Sequence, residues 1–172
     1  WYAVYALART PAAQPVSFAF GGEAKPADYA RAIADGGLLA LIACLGLARL
    51  SHEATPALAQ LSFSALLFFA LANLARKRMA SLFCAALAII GMALSGAPAL
   101  AMILGAGGAI VIALDTGQPQ SLRVRKVDVA WVLIFCLATA AISSGLDLWR
   151  WRVASSHLFE VQAMARLLLW FA

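Results

Sequence analysis

The sequence predicts an all-α fold, a polytopic transmembrane helix bundle of about five to six spans. Three observations predict it. First, 64% of the 172 residues are apolar and only 12% are charged, whereas a soluble domain is about half apolar and a quarter charged. Second, the run from Met79 to Leu114 carries no charge at all. Third, the charges that exist cluster between apolar runs rather than within them. This pattern excludes a disordered chain and a nucleic-acid module. It also argues against a membrane β-barrel, whose strands alternate around a polar lumen. The net charge of +5, from 13 basic and 8 acidic residues, reads as loop charge at a membrane and not as a nucleic-acid footprint.

Residues 1–27 are expected to form an interfacial segment and loop. Pro11, Pro15, Gly21, Gly22 and Pro26 punctuate them, and Trp1, Tyr2 and Tyr5 resemble an interfacial aromatic cluster. A spanning helix needs about 20 mainly apolar residues. Residues 28–172 are expected to supply several. The first runs from about Asp28 to Leu50, with Asp35 near an interface because a carboxylate at mid-membrane is costly. The second starts at Pro56, whose missing N–H suits a first helical turn, and stops at Arg76-Lys77-Arg78. The charge-free run would be roughly 54 Å long as one helix, too long for a single crossing. It must fold back, and Ser95-Gly96-Ala97-Pro98 is the best hinge. Gly105-Ala106-Gly107-Gly108 is small enough for close helix packing. A polar loop, Asp115 to Asp128, precedes a fifth span over about Val129 to Leu146. Trp149-Arg150-Trp151-Arg152 resembles a membrane-interface belt. Met164 to Ala172 is expected to open a sixth span, with the chain an internal piece of a longer protein.

Lys and Arg in short loops set orientation. Arg76, Lys77 and Arg78 share a side with Arg123, Arg125 and Lys126, which places 76–78 and 115–128 in the cytoplasm. The His52-Glu53 loop and the Gly96-Ala97-Pro98 turn then face the periplasm or exterior.

Most of the polar residues have a plain structural reading. Cys44, Cys84 and Cys136 lie in apolar runs, an odd number that argues against a disulfide framework, and no metal-ligand spacing occurs. No cofactor is implied. His157 and Glu160 lie three apart and could share a helix face, a structural pairing before a functional one. The most polar membrane-edge cluster is Arg49, Ser51, His52, Glu53 and Thr55. A guanidinium at Arg49 suits phosphate oxygens. Glu53 can steady Arg49 or His52, or serve as a base. Against this, charges between two spans are expected anyway, and Ser51 or Thr55 can simply cap the next helix.

The stretch Leu41-Ile-Ala-Cys-Leu-Gly-Leu-Ala-Arg-Leu-Ser-His-Glu-Ala-Thr-Pro56, the apolar helix to Arg76-Lys77-Arg78 and the following Leu-Ala-Ile-Ile-Gly-Met-Ala-Leu-Ser-Gly-Ala-Pro98 resemble one membrane family. It is the polytopic glycosyltransferases that use lipid-phosphate-linked sugars, related to aminoarabinose transferase of lipid A and to protein mannosyltransferases. The likeness covers about residues 38–114. It implies a multi-pass protein of the bacterial inner membrane, a polyprenyl-phosphate sugar donor and a lipid or protein acceptor at the periplasmic face. The family's catalytic acid would lie upstream of Trp1. Arg49, His52 and Glu53 would contact donor phosphate or acceptor. Gly96 stands where the family usually has Lys, and Ala97 where it has Gly, so one cationic contact is missing. The resemblance also makes residues 1–27 periplasmic, whereas the charge rule makes them cytoplasmic. The alternative function is a non-enzymatic membrane scaffold or transporter subunit. Few charges lie inside the spans, which disfavours transport more than a scaffold.

Overall fold

Pro56 and Pro98 begin two helices at the residues where their missing N–H groups cost nothing. The computed structural model describes residues 1–15, 24–44, 55–114 and 121–149. They form six α-helices: α1 (Tyr2–Ala8), α2 (Pro26–Ala43), α3 (Pro56–Asn73), α4 (Arg78–Leu94), α5 (Pro98–Leu114) and α6 (Leu122–Gly145), with one 3-10 turn at Pro11–Ala13. There is no strand among the described residues. Among the described residues, two helices, α3 and α6, are long and apolar enough to cross a membrane. Helices α4 and α5 are equally apolar in character but have 17 residues each, about 25 Å of helix.

Helices α3 to α6 run alternately up and down. The tightest pairs are the hairpins α3–α4 and α5–α6, and α4 also lies against both α5 and α6. Helix α4 is therefore central, with Leu82, Ala85, Ala88, Ile89 and Met92 buried along one face. Small residues set how closely its neighbours approach. A Cβ on Gly105 of α5 would overlap the Cys136 sulfur of α6, and one on Gly91 of α4 would overlap the Phe63 ring of α3. A Cβ on Gly108 would sit tightly, at 3.2 Å, against the Leu71 side chain of α3. Gly105 and Gly108 thus pack as their size predicts, because a helix without Cβ atoms at the contact lets a neighbour's side chain reach its backbone, while Gly107 faces open space.

The N-terminal helices sit to one side. Helix α1 packs on α2 and α3. Ala3 and Ala6 of α1 and Ala30 and Ala34 of α2 are buried, and Val4 lies against Gly37. Trp1 stacks on Tyr5 with ring centroids 5.0 Å apart, and its Nε1 donates to Asp35 Oδ1 at 2.6 Å. Asp35 is exposed at that contact. Arg76, just beyond α3, donates from its guanidinium to the Ala6 carbonyl at 3.0 Å. The α1–α2 pair is thereby fixed to the basic end of the bundle.

Two sequence expectations change. Helix α6 begins at Leu122, about two turns before the expected start at Val129. Ser121 caps it by accepting from the Val124 N–H at 3.4 Å, so Arg123, Arg125 and Lys126 are helical and do not belong to a loop. Charged residues end a membrane-spanning run, but they do not end a helix. The second change concerns Asp128, expected in that loop and found fully buried on α6. Helix α2 ends at Ala43, and the rest of the expected first span, 45–50, lies outside the described residues.

Candidate functional site

Three separated segments meet at the end of the bundle opposite the basic one: the start of α3, the α4–α5 turn and the residues after α6. Between them lies an open cleft of about 970 Å³, lined by Pro56, Gln60, Gly96, Ile103, Leu148 and Trp149 among others. Its walls come from sequence features that stop helices. Gly96 has φ +91°, the left-handed region that glycine enters without penalty. Its N–H donates to the Ala93 carbonyl at 3.0 Å and the Ala97 N–H to the Met92 carbonyl at 3.2 Å. That is a Schellman cap, with Pro98 opening the next helix immediately after it. The end of α6 repeats the device. Asp147 takes φ 54°, its N–H donates to Ser144 O at 3.3 Å, and the Leu148 N–H donates to Ser143 O at 2.9 Å. Aspartate is one of the few residues other than glycine that visit this region.

Two hydrogen bonds fix the cleft. Gln60 Nε2 donates to the Ser95 carbonyl at 3.1 Å and ties α3 to the α4–α5 turn. Trp149 Nε1 donates to Ser144 Oγ at 3.0 Å and holds the indole over the end of α6. No charged side chain lines the cleft among the described residues. Its surface is mostly aliphatic with an indole at one edge and a few backbone and amide groups, a lining suited to a hydrocarbon chain. Thr55 occupies the position before α3 but makes no capping hydrogen bond with its side chain, so the expected cap is absent there. Because Gly96 is in a conformation unfavourable to any Cβ, Gly96→Ala is expected to lower stability by about 1–2 kcal/mol. A thermal melt in detergent checks this.

Arg49, His52 and Glu53 lie outside the described residues, as do Arg150, Arg152, His157 and Glu160. In sequence, Glu53 precedes the cleft residue Pro56 by three positions and Arg150 directly follows the cleft residue Trp149. No family model, curated protein or solved structure matches the chain. Cys44, Cys84 and Cys136 are free thiols. No cluster of metal-ligating side chains occurs among the described residues.

At the other end, Arg78 Nε donates to Asp128 Oδ1 at 2.6 Å. Asp128 has no exposure and Arg78 keeps 37% of its side chain exposed. The pair joins α4 to α6. Sequence reasoning missed it, although a signal was present. Asp128, Val132, Cys136, Thr139 and Ser143 are the buried residues of α6, and their spacing of three or four is the period of one helix face. Asp128 stands at the head of that buried stripe.

Proposed function

We propose that the chain is the membrane-embedded helical part of a bacterial inner-membrane glycosyltransferase. In this reading, α3 to α6 cross the bilayer as successive spans of a multi-pass protein. The low burial of the two longest apolar helices supports the membrane setting. Only 11% of the apolar window of α3 and 28% of that of α6 is buried, whereas a core helix of a soluble protein hides most of its apolar surface. Polar side chains on α3 also bond within the helix: Ser62 Oγ to Leu58 O, Ser64 Oγ to Gln60 O and Asn73 Nδ2 to Phe69 O. Such internal satisfaction is what an environment without water demands.

One observation carries the functional reading. The cleft gathers Pro56, the Ser95–Pro98 turn and Trp149. The first two end the stretches that resemble lipid-phosphate-sugar glycosyltransferases, and the third opens the aromatic-basic belt. Positive-inside orientation puts this end at the periplasmic face. A polyprenyl chain would occupy the aliphatic cleft. Arg49, with Glu53 and His52, would lie by its phosphate or the acceptor. In the reaction, the acceptor hydroxyl or amine attacks the anomeric carbon, the bond from that carbon to the phosphate oxygen breaks, and polyprenyl phosphate leaves. The acceptor proton passes to the carboxylate that the resemblance implies as the family's catalytic group. The Arg76–Ala6 bond, which brings the N-terminal helix to the basic end, supports a cytoplasmic side for that helix.

The test is transfer of radiolabelled sugar from polyprenyl phosphate by the full-length protein in vesicles. Arg49→Ala and Glu53→Ala are each expected to reduce transfer at least tenfold, the first by removing a charge-assisted contact to the phosphate and the second by removing the carboxylate that steadies Arg49 or contacts the acceptor. Unchanged transfer in both variants removes these residues from the site. No transfer by wild type leaves the scaffold reading in its place.

A further inference from the structure

The first two turns of α6 sort their charges by side. Asp128 turns inward, fully buried and bonded to Arg78. Arg123 and Lys126 turn outward and are exposed, and neither makes an ion pair among the described residues. Between them runs a shallow groove of about 390 Å³, lined by Leu122, Arg123, Lys126, Val127 and Ala130. Leu122 is 64% exposed and Val127 40%. The groove therefore joins an aliphatic strip to two cations, and the only carboxylate on these turns is withdrawn from it. Arg76 and Lys77 are exposed at the same end of the bundle.

We propose that this groove is a docking site for an anionic phospholipid of the cytoplasmic leaflet. The headgroup phosphate lies between Arg123 and Lys126, and the first carbons of an acyl chain lie along Leu122, Val127 and Ala130. Charge complementarity chooses the occupant. A zwitterionic lipid offers the same chain but no net charge to two unpaired cations, and a soluble phosphate offers no chain to the aliphatic strip. The proposal rests on the membrane reading above and is independent of sugar transfer, so a failed transfer assay leaves it standing.

The experiment is native mass spectrometry of the purified chain released from detergent after addition of phosphatidylglycerol or phosphatidylcholine. Wild type is expected to retain phosphatidylglycerol in preference. Each cation near an anionic headgroup strengthens binding about fivefold, so Arg123→Gln with Lys126→Gln should lower phosphatidylglycerol retention about 25-fold, toward the phosphatidylcholine level. Arg31→Gln, which alters an exposed pair with Asp28 on α2, should leave it unchanged. Circular dichroism reports whether the double variant is helical. If it is not, salt titration of wild type decides: the preference should fall between 50 mM and 500 mM salt. Equal retention of both lipids by wild type overturns the proposal. So does an undiminished preference in the folded double variant, a salt-independent preference, or displacement of the lipid by glycerol phosphate at equal concentration.

Discussion

Arg78→Ala is expected to destabilise the bundle more than Asp128→Ala, although the two residues share one hydrogen bond. The asymmetry follows from burial. Removing Arg78 leaves the Asp128 carboxylate with no exposure and no counter-charge, and its Oδ2 already has no partner among the described residues. An uncompensated buried charge of this kind costs about 3–5 kcal/mol. Because 37% of the Arg78 side chain is exposed, solvent offsets part of that, and about 3 kcal/mol is the better expectation. Removing Asp128 leaves a guanidinium that can turn to water or headgroups, so the loss is about 1–2 kcal/mol. The double variant Arg78→Ala with Asp128→Ala should be more stable than Arg78→Ala alone, since it removes the stranded charge. Unfolding in mixed micelles, run as a double-mutant cycle, measures all three. Additive losses would show that the pair is not coupled and that α4 and α6 are held by apolar packing alone.

The second large effect is at Gly105. Its added Cβ meets the Cys136 sulfur with Ile89 close behind, so the sulfur or the helices must shift. Gly105→Ala should cost about 1–3 kcal/mol through overpacking. Gly107, two residues on, has open space around it. There the same substitution should raise stability by about 0.5–1 kcal/mol, because alanine favours helix over glycine. Adding Cys136→Ala to Gly105→Ala removes the sulfur and should recover most of the loss. Thermal melts of the four proteins in one detergent check the set. Equal behaviour of Gly105→Ala and Gly107→Ala would mean that α5 and α6 are not in the close contact described.

Helix starts were legible wherever a residue carried a covalent reason to start one. Pro56 and Pro98 open α3 and α5 at the residues expected of them, and the charge-free run folds back at the Ser95–Pro98 hinge because Gly96 and Pro98 each stop a helix in their own way. The start of α6 was not legible from hydropathy, because polarity reports where a bilayer would end and Ser121 reports where the hydrogen bonding begins. Asp128 shows the same limit from the other side. An aspartate beside three basic residues resembles solvated charge in a linear sequence, and only the packing of α4 against α6 selects Arg78 as its partner. The cleft is assembled from three segments, each about 40 to 50 positions from the next in sequence. Each of its parts was visible as a turn or an aromatic belt, but their meeting depends on the alternation of four helices. Arg49, His52 and Glu53 were chosen for their chemistry, and that chemistry is tested by transfer.

The order in which the helices meet has a bearing on how the protein is made. Helix α4 can pair with α3 and then α5 as each follows its neighbour out of the ribosome, and α1 can settle on α3 before α4 exists. The α4–α6 seam is different. It joins segments separated by a whole helix, so Arg78 is synthesised 50 residues before the carboxylate that receives it. Until then α4 carries Arg78 without this partner at its head and an uncovered flank below it. A chain truncated ahead of residue 128 would keep both features permanently.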